Sequence, residues 1–112
     1  MSNAQAAAGG STANNLRGEA AIIIDGSPCL LRPSFDALVR AEEELGPLFA
    51  LVERAGEGQL RLSEIAALFW HCLADRADLT REGVGEAVLT MGLAEAARPL
   101  RALLGEILRG RQ

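Results

Sequence analysis

Few side chains in this chain are of the types that catalyse reactions or bind metals, and their spacing argues against both roles. The sequence has one histidine, His71, followed directly by Cys72. Adjacent residues of a helix point about 100° apart, so these two side chains cannot act together as a nucleophile and its base. A zinc site would need further ligands at short spacing, and the sequence offers none there. We therefore expect no catalytic residue, no metal and no cofactor, and a structural or surface role for His71.

A run of three carboxylates, Glu42–Glu44, lies within a predicted helix. Consecutive residues fan around a helix axis, so two of the three are expected on a solvated face. Glu42 follows Leu38 by four residues and falls on the apolar side, where an unpaired charge would be costly. We predict a structural ion pair of Glu42 with Arg17 or Arg32. The alternative is a carboxylate at the edge of the apolar stripe that simply reaches water.

Composition excludes several classes of function. The chain has 112 residues, 49% of them hydrophobic, and a formal net charge of −4. An acidic chain lacks the positive surface that a nucleic-acid backbone requires, so we expect no nucleic-acid partner. No apolar run approaches the roughly 20 residues of a membrane span, so we expect no membrane partner. Cys29 and Cys72 form no disulfide framework, and we predict that both are reduced and buried in a cytoplasmic protein.

Order is expected to begin after residue 16. Residues 1–16 carry no charged side chain and no apolar periodicity, so we predict a disordered lead-in followed by one small domain over 17–112. Two short apolar runs, 20–24 and 29–31, flank Asp25-Gly26, a combination that predicts a β-hairpin. The run of three isoleucines does not alternate with polar residues. Either helices of the same chain cover both faces of the hairpin, or one edge pairs with another chain.

Helical periodicity follows from residue 34 to residue 108. The predicted fold class is mainly α (α+β), with an N-terminal two-stranded hairpin followed by four or five short packed helices. In the first helix we expect Phe35, Leu38, Val39 and Leu45 to form the core-facing stripe. Pro99 should kink or split the last helix. The predicted helices span 34–46, 48–55, 64–74, 81–91 and 93–108, with Ser34, Ser63 and Thr80 as N-caps and Gly46, Gly56 and Gly92 as ends.

Large apolar side chains on polar helix faces are the remaining candidates for function. Leu48 and Phe49 open the second predicted helix, and Trp70 lies off the apolar stripe of the third. Partly exposed aromatic side chains are typical anchors for partner proteins, so these three residues form the predicted partner-binding patch. The alternative is that Trp70 packs at the edge of a small helical core.

The order of these features resembles a known family. The matching segments begin at Arg17-Gly18-Glu19 and continue through the hairpin. They include 41–46 (AEEELG), which is similar to a Leu-Glu-x-x-Leu-Gly segment with alanine in place of a larger apolar residue. The family comprises the small tail assembly chaperones of phage-like gene transfer agents and related prophages, some of which are also called tail tube proteins. The remaining matching segments are 22–26, 30–32, 63–68 and 79–80.

The resemblance implies a protein without enzymatic activity that acts during tail assembly. Its expected partners are the tape-measure protein and the tail tube subunits, with self-association possible through the hairpin edge. Three alternatives stay open: a structural tail tube component retained in the particle, a stand-alone interaction adaptor, and an enzyme. Stoichiometric presence in purified particles would favour the tube component, and failure to bind a tape measure would favour the adaptor. A pocket of convergent polar groups would favour an enzyme.

Overall fold

A computed structural model describes residues 20–110 of the chain. It consists of a two-stranded antiparallel hairpin followed by five helices, which confirms the predicted fold class. The elements are β1 (Ala20–Ile24), β2 (Ser27–Leu31), α1 (Phe35–Leu45), α2 (Leu48–Gly56), α3 (Leu62–Cys72), α4 (Arg81–Met91) and α5 (Leu93–Arg109). The predicted lead-in at 1–16 lies outside the described residues.

The hairpin turns at Asp25 and Gly26, as predicted. Their φ angles are 52° and 79°, so both central residues are left-handed, as a type I′ turn requires. β1 then alternates strictly: Ile22 and Ile24 are buried, whereas Ile23 is 55% exposed. The helices therefore cover one face of the hairpin, and the expectation that both faces might be covered is wrong.

The outer edge of β2 is paired with the segment that follows α3. The Arg32 N–H donates to the Cys72 carbonyl over 2.6 Å, and the Ala74 N–H donates to the Leu30 carbonyl over 3.0 Å. This pairing draws the chain out of the helical conformation, so α3 ends at Cys72 and not at the predicted residue 74. Within residues 20–110, β1 has no strand on its other side.

α3 lies at the centre of the core. Its predicted apolar face is confirmed, because Ile65, Leu68, Phe69 and Cys72 are all buried. α1 and α4 pack against α3, while α4 and α5 cover the inner face of β1. The other large core side chains come from both strands and from α2, α4 and α5: Ile22, Ile24, Leu31, Leu51, Val84, Val88, Leu103 and Leu104.

α1 presents a different face from the predicted one. Ala37 and Ala41, one turn apart, are the buried residues, whereas Phe35 is 82% exposed and Val39 is also exposed. Two alanines at this spacing let the backbone of α1 approach α3 closely, which a stripe of larger residues would prevent. The predicted stripe is therefore wrong for Phe35 and Val39.

Two of the three predicted N-caps are confirmed. The hydroxyl oxygens of Ser34 and Thr80 accept backbone N–H bonds from the first turns of α1 and α4, as predicted. Ser63 does not cap α3, because this helix begins at Leu62, two residues before the predicted start, and Ser63 lies inside it. The Glu64 carboxylate instead accepts the Arg61 N–H over 2.9 Å. A carboxylate in the first turn is also favoured by the helix dipole.

α5 runs unbroken through Pro99, so the predicted split of this helix does not occur. Proline removes one backbone donor from the helix. The ring of Pro99 is buried, and Leu103 and Leu104 anchor the helix in the core beyond it. Packing of this apolar face maintains the helix across the missing bond.

Candidate partner-binding groove

An open groove lies between α2 and α5. At one end it is lined by Leu48, Phe49 and Val52 of α2 and by Ile107 and Leu108 of α5, around a volume of about 240 Å³. It continues between the two helices as a second recess of about 460 Å³. Phe49 is 78% exposed and Leu108 is 59% exposed, so the groove offers large apolar side chains to solvent.

The spacing of apolar residues along the two helices explains the groove. Leu51 is 1% exposed and anchors α2 in the core, and Phe49, two positions earlier, points away from that core. On α5, Leu100, Leu104 and Leu108 line the groove at four-residue intervals. Such a row forms a ridge along one side of a helix, which is the kind of surface against which other helices pack.

Two of the three predicted partner-binding residues meet in this groove. Leu48 is half-buried at its wall and Phe49 is exposed beside it. Trp70 does not line the groove. It is partly buried against the core, and the Arg76 guanidinium lies 5.2 Å from the centre of its ring. The structure therefore unites Leu48 and Phe49 and places Trp70 apart from them. The other residues that line the groove near them, Val52, Ile107 and Leu108, were missed.

Glu42 positions the start of α2. Its Oε2 atom accepts the Leu48 backbone N–H over 3.0 Å, which satisfies a donor that the helix itself leaves free. A carboxylate at this end also interacts favourably with the helix dipole. Glu42 is exposed, and its observed donor is the backbone. Arg17 lies outside the described residues, and the ion pair of Glu42 with Arg17 or Arg32 stays a prediction.

A bidentate ion pair fixes the other end of α2. The Arg54 guanidinium donates to both carboxylate oxygens of Glu64, over 2.9 and 2.8 Å. These bonds, together with the Arg61 N–H, lower the pKa of Glu64 from its usual 4.5 to about 2. Glu64 belongs to α3, so the pair ties the wall of the groove to the central helix.

His71 has the structural role expected of it, through a partner that sequence reasoning missed. The residue is 8% exposed, and its Nε2 atom lies 2.8 Å from Glu44 Oε1. Arg81 donates to the second oxygen of Glu44 over 2.5 Å. The bonds from Arg81 and then His71 lower the pKa of Glu44. Glu44 thus joins α1, α3 and α4, which corrects the expectation of a merely solvated side chain. No local pattern signals a contact between residues 27 and 37 positions apart.

The arrangement is suited to binding another surface. Among residues 20–110, no three side chains of the metal-ligating types come together. None of the helices in the same range has the length and apolarity that a membrane crossing demands. The groove combines an apolar floor with two arginine side chains, Arg101 and Arg109. An apolar recess between helices is a common seat for a partner helix.

Comparison with protein families adds a decisive observation. A family model described as "Phage tail tube protein, GTA-gp10" matches residues 17–110. The chain belongs to this phage tail tube protein family. The match covers every element from β1 to α5, the groove included. No curated protein and no solved structure matches the chain significantly. Membership supports a phage tail-related role and interaction with other tail proteins, which is the coarser part of the expected function.

Proposed function

We propose that this member of the phage tail tube protein family is a tail assembly chaperone without enzymatic activity, acting in the cytoplasm of the bacterial host. Its partner is the tape-measure protein. The observation that carries the proposal is the exposed apolar groove, in which Phe49 is 78% exposed beside Ile107 and Leu108. Contiguous exposed apolar surface of this kind marks protein-interaction sites.

The proposed mechanism is temporary coverage of apolar surface. A tape measure is a long helical chain with exposed apolar stripes, and it would aggregate if left bare. Several copies of a small partner with an apolar groove could cover these stripes. Binding of each copy must be weak, so that tail tube subunits displace the copies in turn as the tube grows.

Self-association through the hairpin completes the proposal. The outer edge of β2 is occupied by the segment after α3, and the edge of β1 that faces away from β2 has no strand partner within residues 20–110. Ile23 is exposed on this strand. An unpaired edge with an exposed apolar residue favours addition of another strand. Neighbouring copies on the tape measure could pair there.

Co-expression with the tape-measure-like protein of the same gene cluster tests the proposal. The expected result is a soluble complex with several copies of this chain per tape measure. Phe49→Asp should abolish the complex, whereas Phe35→Asp, at an equally exposed phenylalanine outside the groove, should leave it intact. Trp70→Ala tests whether the binding surface extends to α3. A tape measure that stays insoluble while this chain purifies alone would contradict the proposal.

The second candidate is a structural tube component that remains in the particle. The description of the matching family, which names a tail tube protein, favours it. Quantitative mass spectrometry of purified particles separates the two candidates. A chaperone is expected to be absent or present in trace amounts, and a tube component is expected in stoichiometric amounts.

A further inference from the structure

The side chains that line the groove between α2 and α5 carry a net positive charge, although the chain as a whole is acidic. Arg101 and Arg109 line it, and no aspartate or glutamate is among its lining residues in the part of the chain that the structure describes. The formal net charge of the protein is −4. The local sign of charge is therefore opposite to the overall sign.

The two arginines form a row beside the apolar floor. One turn apart along α5 lie Arg101, Gly105 and Arg109, each one position after a leucine of the row Leu100, Leu104 and Leu108. Ala97 continues the line of the arginines by one turn towards the start of α5. Arg109 folds back over Gly105, where an added Cβ atom would lie 2.5 Å from Nη2. Because Gly105 has no side chain, the guanidinium can lie along the lip of the groove.

The length of the groove suggests the size of its occupant. From residue 97 to residue 109, α5 rises roughly 18 Å at about 1.5 Å per residue, which corresponds to about 12 residues of a helix lying alongside. An apolar floor with a cationic lip complements a helix whose apolar stripe is bordered by carboxylates. The segment 1–16 of this chain does not meet that description, because it contains no charged residue and no apolar periodicity.

We propose that the groove binds an amphipathic helix of the partner protein in which aspartate or glutamate residues flank the apolar stripe on the side facing Arg101 and Arg109. This inference rests on the proposed function, since it specifies the kind of segment that the groove recognises. Apolar contact supplies the affinity, and the arginine row selects the sign of charge on the partner and hence the orientation of the bound helix.

Binding of two synthetic peptides to the full chain tests this inference. Both have about 14 residues and the same leucine stripe, with glutamate flanks in one and lysine flanks in the other. In about 50 mM NaCl, fluorescence anisotropy should show roughly tenfold tighter binding of the glutamate peptide. The preference should shrink at about 0.5 M NaCl, because salt screens exposed charges.

Substitutions at single positions identify the residues that cause the preference for the glutamate peptide. Arg101→Glu should remove the preference, and the further change Arg109→Glu should reverse it. Arg98→Glu, on the same helix but outside the groove, is the control and should leave the preference unchanged. Phe49→Ala should weaken both peptides equally, because it removes apolar contact without adding a charge.

Several outcomes would overturn the inference. Equal affinity for the two peptides, failure of both to bind, or a preference that Arg101→Glu leaves intact would each contradict it. Concentration-dependent self-association that Phe49→Asp abolishes would identify a second copy as the occupant instead. Retention of the tape measure that depends on Phe49 but not on Arg101 would leave the proposed function standing and remove this inference. Discrimination between the peptides without retention of the tape measure would support this inference and contradict the proposed function.

Discussion

Two carboxylates connect the helices at the scale of single residues. Glu64 accepts both Arg54 bonds and the Arg61 N–H, so one side chain caps α3 and holds α2. Glu44 bonds to His71 and Arg81 and joins three helices. Charged hydrogen bonds with two parallel contacts are stronger than single neutral ones. We therefore expect these two positions to matter more for stability than the other surface carboxylates.

The low pKa of Glu64 predicts how stability changes with pH. Its pKa of about 2 in the folded protein lies below the usual 4.5, so ionisation of this group stabilises the folded state above about pH 4.5. That contribution is lost as the pH falls from 4.5 towards 2. Glu64→Gln should lower the free energy of unfolding by about 1 kcal/mol at neutral pH, and the deficit should shrink in acid.

Urea denaturation of both proteins across this pH range provides the measurement. Glu53→Gln, at an exposed carboxylate of α2, is the control and should change stability little at any pH. A deficit for Glu64→Gln that is as large in acid as at neutral pH would show that the ion pair is not responsible.

The two cysteines should differ in reactivity. Cys72 is 1% exposed, and burial raises the pKa of its thiol to about 12. Cys29 is half-buried, and desolvation raises its pKa as well. Since the thiolate is the reactive form, a soluble alkylating reagent should modify Cys29 slowly in the folded protein and Cys72 only after unfolding. Peptide mass spectrometry after alkylation, with Cys29→Ser as the control, measures this; early modification of Cys72 would contradict the buried placement.

At the scale of elements, turns and alanine contacts determine how the pieces meet. The hairpin reverses through two residues of positive φ, and α1 approaches α3 through Ala37 and Ala41. The turn and the alanine contacts each bring two backbone segments close together, because no large side chain lies between them. The outward residues of the same elements, Ile23 and Phe35, are left exposed as a consequence.

Glycine substitutions in the hairpin and in α4 should have opposite effects. Gly26 has φ +79° with open space around it, so Gly26→Ala costs backbone strain alone, about 1 kcal/mol. Gly85 lies inside α4, and an added Cβ would lie 3.9 Å from the Cβ of Ala66, an ordinary contact. Gly85→Ala should therefore stabilise the protein by up to about 1 kcal/mol. Chemical denaturation of the two variants checks both signs; stabilisation by Gly26→Ala would contradict the type I′ turn.

At the scale of the whole molecule, stability and the proposed partner binding are assigned to different residues of the same short helix. Leu51 belongs to the core, whereas Phe49 projects from it. Leu51→Ala should cost about 2–5 kcal/mol through the cavity it leaves. Phe49→Asp should change the free energy of unfolding by less than about 0.5 kcal/mol, because little packing is lost.

Denaturation curves of the wild type and of these two variants measure both changes in the free energy of unfolding. A large loss of stability in Phe49→Asp would mean that the groove wall is structural, and loss of the tape measure in that variant could then not be assigned to the contact itself.

The sequence by itself determined the local features of the protein. The Asp25-Gly26 turn, the caps at Ser34 and Thr80, the glycine ends at Gly46 and Gly92 and the buried face of α3 all depend on neighbouring residues. Backbone preferences and helical periodicity act over a few positions, so the order of hairpin and helices could be predicted. The exposed position of Phe49 near the start of α2 could be predicted for the same reason.

Only the tertiary structure decided which faces meet. It turned Phe35 outwards and the two alanines of α1 inwards, paired Leu31 with Leu73, and brought Glu44 to His71 and Arg81. It also placed α2 beside α5, which created the groove and brought Arg101 and Arg109 into the same groove as Phe49. These contacts join residues far apart in the chain. Each follows from how several helices pack together around one core, and no local pattern contains that information.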